Sequence, residues 1–320
     1  MTVGAALLAY AAVVGTLGAR VLRRVRWLAR APLLGVLLYQ AATWSVVAAV
    51  GLAGLTLAVH ATALGGGLSH LIGACVQRLR LTYATPGGAT VAGLGLTLTG
   101  AVVVRTMFSA VTSVRASGRQ ARQHADTARI VGVRDPGLGA IVVDHPRPAA
   151  YCVTGRRPTV VLTTGTLGVL DCDQLGAVLA HERAHLAWHH HRLLAAVRIG
   201  RRVLPFLPLM READTQVTRL IEAHADDVAA PARGSGPLAS ALVLLATAAT
   251  PATAATALAA AATDVVQRVH RLLGPAGQQQ LSPARRRLLG AAATALAVTP
   301  VLLALAPAVL ALALGRVPGA

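Results

Sequence analysis

Four long apolar blocks organise the chain: Val3 to Leu17, Leu33 to Leu64, Ala89 to Phe108 and Leu288 to Leu314. A helix needs about 20 apolar residues to cross the hydrocarbon core, and the first block alone falls slightly short. The pattern predicts a polytopic membrane protein with about four transmembrane helices. Between the third and fourth blocks the residues are more polar and the periodicity changes. From Gly139 to Leu167 it shortens to β-like runs, Ile141-Val142-Val143, Tyr151-Cys152-Val153 and Thr159 to Thr163, separated by Pro and Gly turns. Asp171 and Gln174 then stand at the N-cap and N3 positions of a capping box, opening a helix that runs through Leu175, Val178 and Leu179. Pro205 and Pro208 separate it from a second helix over about Thr215 to Ala230.

The expected fold class is therefore mainly α, with about four transmembrane helices and an α+β domain containing a small β-sheet. Residues 1–112 would hold three transmembrane helices, 113–285 the extramembrane domain and 286–320 the last transmembrane helix. Pro237 to Thr263 is rich in Ala and Thr and contains Pro251, so a soluble or interfacial helix is expected there rather than a fifth span. Val265 to Leu273 reads as a short amphipathic helix approaching the membrane.

Charge orients this arrangement. Arg20, Arg23, Arg24, Arg26 and Arg30 fill the loop between the first two blocks, and short basic loops stay in the cytoplasm. The N-terminus is then outside, Gly65 to Gly88 is outside with only Arg78 and Arg80, and the large polar segment is cytoplasmic. Arg115, Arg119, Arg122 and Arg129 at one end of that segment and Arg285, Arg286 and Arg287 at the other agree. Met1 is followed at once by apolar residues without a basic n-region or a good cleavage site, so the first block reads as an anchor rather than a removable signal. Arg105 reads as an interface anchor.

The formal charge of +18 invites a nucleic-acid reading, but the basic residues are all arginine and many flank the spans, while aromatic residues make up only 3% of the chain. Base-stacking surfaces need those aromatics, so direct nucleic-acid binding is excluded and the charge is read as attraction to an anionic inner leaflet of the lipid bilayer. Cys75, Cys152 and Cys172 have no metal-type spacing and imply no disulfide framework.

The chemistry is concentrated in His181-Glu182-Arg183-Ala184-His185, an H-E-x-x-H sequence within an apolar helical stretch. Residues four apart share a helix face, so the two imidazoles converge on one ion. Glu182 lies about 100° round the same turn, placed to take a proton from water without ligating. A catalytic zinc needs one more protein ligand. His191 has the spacing of a metzincin third ligand, but Trp188 stands where that pattern has glycine. Glu222 is the preferred candidate. Asp226 is four residues on, so one carboxylate can ligate while the other orients a ligand imidazole. His224, between them, is a candidate donor to a developing oxyanion. His189, His190 and His191 read as a solvent-facing histidine run. The strand-rich stretch ahead of the zinc helix could hold an extended peptide along an edge strand.

These residues resemble the integral-membrane gluzincin peptidases of the BlaR and MecR antirepressor type. The resemblance is carried by the N-terminal hairpin of spans, the third span, the stretch from Arg147 to Gly165, the helix from Leu175 to Leu186, and Glu222-Ala223-His224-Ala225-Asp226. It implies a cytoplasmic zinc metalloprotease domain in which His181, His185 and Glu222 bind Zn2+, Glu182 is the general base and Asp226 orients a ligand. It further implies a polypeptide substrate, with a BlaI- or MecI-type repressor as direct or indirect target. Unlike the antibiotic sensors, this sequence carries no large penicillin-binding domain after the fourth block. The HtpX and CAAX prenyl proteases share the same core and are the neighbouring family. Two alternatives stay open: an HtpX-like quality-control protease, and a metal-binding signalling module without turnover.

Overall fold

A computed structural model describes residues 2–58, 88–155, 157–248, 255–274 and 281–313. Four helices are long and apolar enough to cross a membrane: Val3–Arg24, Pro32–Ala58, Ala89–Arg119 and Pro283–Pro307. The chain is a multi-pass membrane protein. The first span comprises α1 (Thr2–Val13), a π-helical turn at Val14–Gly18 and α2 (Ala19–Arg24). It thus runs past the expected end at Leu17, and the added turns carry arginines whose long stems can reach the interface. The second span is α3 (Pro32–Ala58). The remainder of its apolar block, and the expected outer loop with Cys75, Arg78 and Arg80, lie outside the described residues.

The third span opens a 44-residue helix, α4 (Gly88–Val131). Span two packs against it through bare backbone: a Cβ on Gly54 would lie 2.5 Å from the Gly95 carbonyl oxygen, and one on Gly95 would lie 2.5 Å from the Gly54 oxygen. Apolar side chains gain little from one another in lipid, so small residues that admit close van der Waals approach hold such pairs together. α4 continues without a break past the expected end at Phe108. Arg105 is therefore not terminal, and its Nε donates to the Arg202 carbonyl at 2.7 Å.

A four-stranded sheet follows: β1 (Gly132–Asp135), β2 (Ala140–Val143), β3 (Ala150–Val153) and β4 (Thr159–Thr163), in the order β1-β2-β4-β3. β2 and β4 are parallel and the outer pairs antiparallel. β4 is interior, which accounts for its unbroken run Val160-Val161-Leu162, buried on both faces. β3 forms one edge. β1, with only Val133 to mark it between Gly132 and Arg134, gave the pattern too little to read.

After the short α5 (Thr164–Val169) come α6 (Cys172–Ala187), α7 (His190–Val203), α8 (Pro208–Arg233), α9 (Ser235–Ala248), α10 (Ala255–Leu273) and α11 (Pro283–Ala313), which contains the fourth span. α6 opens with the expected capping box: Asp171 accepts from the Asp173 and Gln174 amides, and Gln174 Oε1 accepts from the Asp171 amide. At 14 residues α9 is too short to cross the bilayer. Residues 249–254, within the Ala- and Thr-rich stretch, lie outside the described residues.

The main apolar core does not stop at the membrane boundary. Leu7, Val36, Tyr39 and Val46 of the spans are buried with Val197, Met210, Val217 and Ile221 of α7 and α8. Gln40 donates to the Leu193 carbonyl at 2.7 Å, and a Cβ on Gly200 would collide with Thr43 Cγ2. The site helices are thus seated on the first two spans, while α6 lies over the sheet through Leu179, Leu175 and Leu186 against Ala140, Val160 and Leu162.

Candidate metal centre

α6 presents His181 and His185 one turn apart, and α8 crosses it to bring Glu222 alongside. One ligand atom from each of these three lies within 4.8 Å of the others. The Nε2 atoms of His181 and His185 are 3.1 Å apart, with Glu222 oxygens at 3.4 and 3.6 Å from them. Each imidazole is held from behind. His181 Nδ1 lies 3.0 Å from Asp226 Oδ1, short in distance but bent from the N–H direction. His185 Nδ1 lies 3.0 Å from His190 Nδ1.

These contacts test whether a cation fits. A carboxylate accepts only, so Asp226 favours the proton on His181 Nδ1 and leaves Nε2 with its lone pair. Two such lone pairs and a carboxylate oxygen facing one point repel one another unless positive charge stands between them. Two imidazole nitrogens and one carboxylate oxygen are also the donor set of a catalytic zinc with an open position. The residues fit the metal.

The protein's own groups show the same tension. His181 is almost fully buried; burial alone would depress its pKa, but its close contacts with the Asp226 and Glu222 carboxylates outweigh that and raise it from 6.5 to about 9. Burial lowers His185 to about 4. For Glu222 and Asp226 burial acts upward, yet His181 and Arg268 together hold both at about 2. Glu182 is raised to about 7, first by burial, with His181 lowering it and Glu222 raising it. A carboxyl poised there can both take and return a proton near neutral pH.

Three contributors were not legible in the sequence. Arg268, on α10, chelates Asp226 with Nε at 2.9 Å and Nη2 at 2.6 Å, and its Nη1 is 3.1 Å from Glu222 Oε2. The amphipathic segment Val265 to Leu273 is expected to approach the membrane; here its polar face meets carboxylates of α8, with Arg271 bonded to Asp227 and to the Ala223 carbonyl. Cys152, on edge strand β3, lies close enough to the Glu182 carboxylate to feel its charge, and burial followed by that charge pushes its thiol up to about 12.

The third is His190. The expected solvent-facing histidine run holds for His189 and His191, which are exposed, but His190 is 1% exposed. The reason is local. α6 stops at Trp188, and His189 adopts a left-handed conformation with φ 50, the one non-glycine residue with positive φ among those described. That reversal resets the helical phase and turns His190 inward, while His191 stays outside the metal cluster. His190 Nε2 then meets His224 Nδ1 at 3.0 Å. His224 is therefore brought to the cluster only through His190 and His185, against the Trp188 ring at 4.8 Å, and not directly beside the ligand atoms.

The sequence profile of Peptidase family M48 matches residues 115–209. That stretch contains His181, Glu182 and His185 and ends before Glu222 and Asp226, so the carboxylate side of the centre rests on the geometry. The chain is similar to a protein named protease HtpX homolog from Thermoplasma volcanium, 35% identical over 74 residues. The similarity covers 22% of this chain and 23% of that protein, so the chain spans about a quarter of the curated relative it matches. No solved structure matches the chain.

Proposed function

We propose that the chain is a zinc-dependent membrane endopeptidase of the HtpX kind, acting on polypeptides at the cytoplasmic face of the membrane. The observation that carries this reading is the convergence of His181, His185 and Glu222 within 4.8 Å beside the half-buried Glu182 carboxyl. The match of residues 115–209 to a peptidase family supports it. His181, His185 and Glu222 would hold the metal, Asp226 and His190 would orient the two imidazoles, and Glu182 would be general base. Bound zinc would acidify a water and polarise the scissile carbonyl. Glu182 takes the proton at a carboxylate oxygen and delivers it to the departing amine nitrogen. Cys152 places edge strand β3 near the Glu182 charge, so a peptide adding to that edge would lie beside the base.

The arrangement of residues 1–112, 113–285 and 286–320 as membrane, catalytic and membrane parts follows from this reading, as does an N-terminus outside. Consistent with it, Trp27, between spans one and two, stacks under Arg285 at the start of span four, 5.9 Å from ring to guanidinium. In this reading the two junctions share one side of the membrane. A role in relieving a BlaI- or MecI-type repressor has the sequence resemblance behind it, whereas the comparisons favour the general protease. A repressor-specific enzyme would cut one folded target and spare an unfolded membrane protein.

The test is direct. The purified full-length protein is expected to contain about one zinc per chain and to hydrolyse an unfolded polypeptide. Chelation should abolish hydrolysis and added zinc restore it. Zinc without hydrolysis across a broad panel of polypeptides would leave a signalling module instead.

Zinc uptake should depend on pH. His181 keeps its proton up to about 9 in the protein's own field and must lose it to ligate. At pH 7 uptake should release about one proton, and apparent affinity should rise roughly tenfold per pH unit towards pH 9. For the zinc-stripped protein the sign is opposite. Stabilisation from the raised His181 pKa is complete below 6.5 and is lost as pH rises through about 9. Calorimetry in buffers of differing ionisation enthalpy reads the first, and melting against pH the second.

The tautomers give a further expectation. If His185 ligates through Nε2, its Nδ1 carries the proton, His190 Nδ1 accepts, and His190 Nε2 donates to His224 Nδ1. His190→Ala should weaken zinc by about 10–100-fold. His190→Asn, which returns an acceptor to this position, should recover part of that loss. Equal affinity of the two variants would reduce His190 to packing.

A further inference from the structure

Next to the metal centre, on the far side of the imidazole chain, a cleft of about 1030 Å³ opens where the site helices meet the membrane spans. Arg30, Arg271, Arg286 and Arg287 line it, against Asp227 as its one acidic residue. Arg30 precedes span two by two residues, and Arg286 and Arg287 lie in the first turns of α11, at the start of span four. Arg271 is engaged by Asp227 and the Ala223 carbonyl. Among the described residues, Arg30, Arg286 and Arg287 have no carboxylate within 4 Å. The remaining wall is apolar, with Leu33 and Leu34 from the start of span two and Leu272 and Leu281 from the segments leading to span four.

We propose that this cleft binds the phosphate-bearing headgroup of an anionic phospholipid, with Arg30, Arg286 and Arg287 as its cationic contacts. Three arginines lining one cleft without acidic partners among the described residues call for an anion, and guanidinium and phosphate oxygens pair in a bidentate way. The position selects the source. The arginines stand at the ends of two spans that also meet through Trp27 and Arg285, at the depth where headgroups lie, and the leucines continue the apolar surface of the spans on which acyl chains rest. Basic pockets between transmembrane helices on the cytoplasmic side are suited to such headgroups. A small free anion would have no use for the leucine wall or for most of the volume.

The site rests on the membrane-spanning helices and on which side their ends face, and does not need the peptidase reading. It does adjoin that centre: Arg271, in its wall, is one turn from Arg268 on α10, and His224, also in its wall, ends the chain that begins at His185. A lipid held here would fix the two spans to the helix that grips Asp226.

The test uses full-length protein in detergent micelles, with bound lipid counted by native mass spectrometry after titration with phosphatidylglycerol or phosphatidylcholine. Preference for phosphatidylglycerol is expected, falling about 100-fold in Arg30→Gln/Arg286→Gln/Arg287→Gln and about fivefold in each single variant. The single variants keep the test decisive should the triple one fail to fold. Arg115→Gln/Arg119→Gln/Arg134→Gln removes the same charge from exposed positions elsewhere and should bind as wild type does. An equal loss in that control would overturn the site in favour of diffuse attraction to a charged surface. Displacement of the lipid by millimolar inorganic phosphate, with the same arginine dependence, would overturn the lipid assignment in favour of a free anion. Tighter binding of a polyglutamate peptide than of phosphatidylglycerol would do so in favour of an acidic polypeptide. Zinc content on the same preparations separates failure of this site from failure of the metal centre.

Discussion

Glu182→Gln is expected to lower polypeptide hydrolysis by about 10²–10⁴-fold while zinc content stays at the wild-type level. Glutamine keeps the shape of the side chain near Cys152, so the packing of edge strand β3 against α6 is retained. What it removes is the ability to hold a proton. That ability is costly in this place, because burial has already driven the carboxyl up to about 7, and the neighbouring Glu222 charge pushes the same way. A neutral amide escapes both effects, so the variant should melt no lower than wild type. The combination matters: loss of turnover with zinc and stability retained separates a missing proton carrier from a damaged fold. Full activity in Glu182→Gln would remove Glu182 from the mechanism, and with it the reason for reading the donor cluster as catalytic.

Much of this centre was legible because it is written in short-range spacing. His181 and His185 share a face through i and i+4, as do Glu222 and Asp226, and Asp171 with Gln174 fixes where α6 begins. Each is a property of one helix. The spans were legible for a similar reason, since membrane length and apolar composition are local quantities, and their errors were at ends where arginines extend the helix beyond its apolar run. What escaped depends on where separate helices meet. Nothing in His189-His190-His191 distinguishes the middle residue until the left-handed turn at His189 sets the phase of α7. Arg268 belonged to an amphipathic pattern that fits a membrane surface equally well, and only the position of α8 gives its charged face the buried Asp226 and the half-buried Glu222. Cys152 alternated with its neighbours as any strand residue would, and the sheet order β1-β2-β4-β3, which places it at an edge, is a long-range fact.

The Asp226 and Arg268 pair carries the second large expectation. Asp226 is fully buried and Arg268 largely so, joined by two hydrogen bonds, and the carboxylate also faces His181 Nδ1 at 3.0 Å. Removing the carboxylate alone leaves a guanidinium confined without its main partner. Asp226→Ala should cost about 3–5 kcal/mol of stability, as is usual when one member of a buried pair is stranded. It should also weaken zinc by about 10–100-fold, since His181 loses the group that fixes its proton and its tilt. Asp226→Asn keeps the volume and an acceptor oxygen but not the charge, so it should restore the orientation of His181 better than the pairing with Arg268, recovering more of the zinc affinity than of the stability. Arg268→Met tests the same bond from the other end. On its own it leaves Asp226 and Glu222 close together without the cation that, with His181, holds both at about 2. In the double variant Asp226→Ala/Arg268→Met neither charge is stranded, and the stability loss should be well below the sum of the single losses. Zinc affinity should not recover with it, because neither alanine nor methionine supplies the acceptor that His181 loses. Additive stability losses would mean that the two residues act independently, and α10 would then be a cover over the centre rather than part of what holds it in shape.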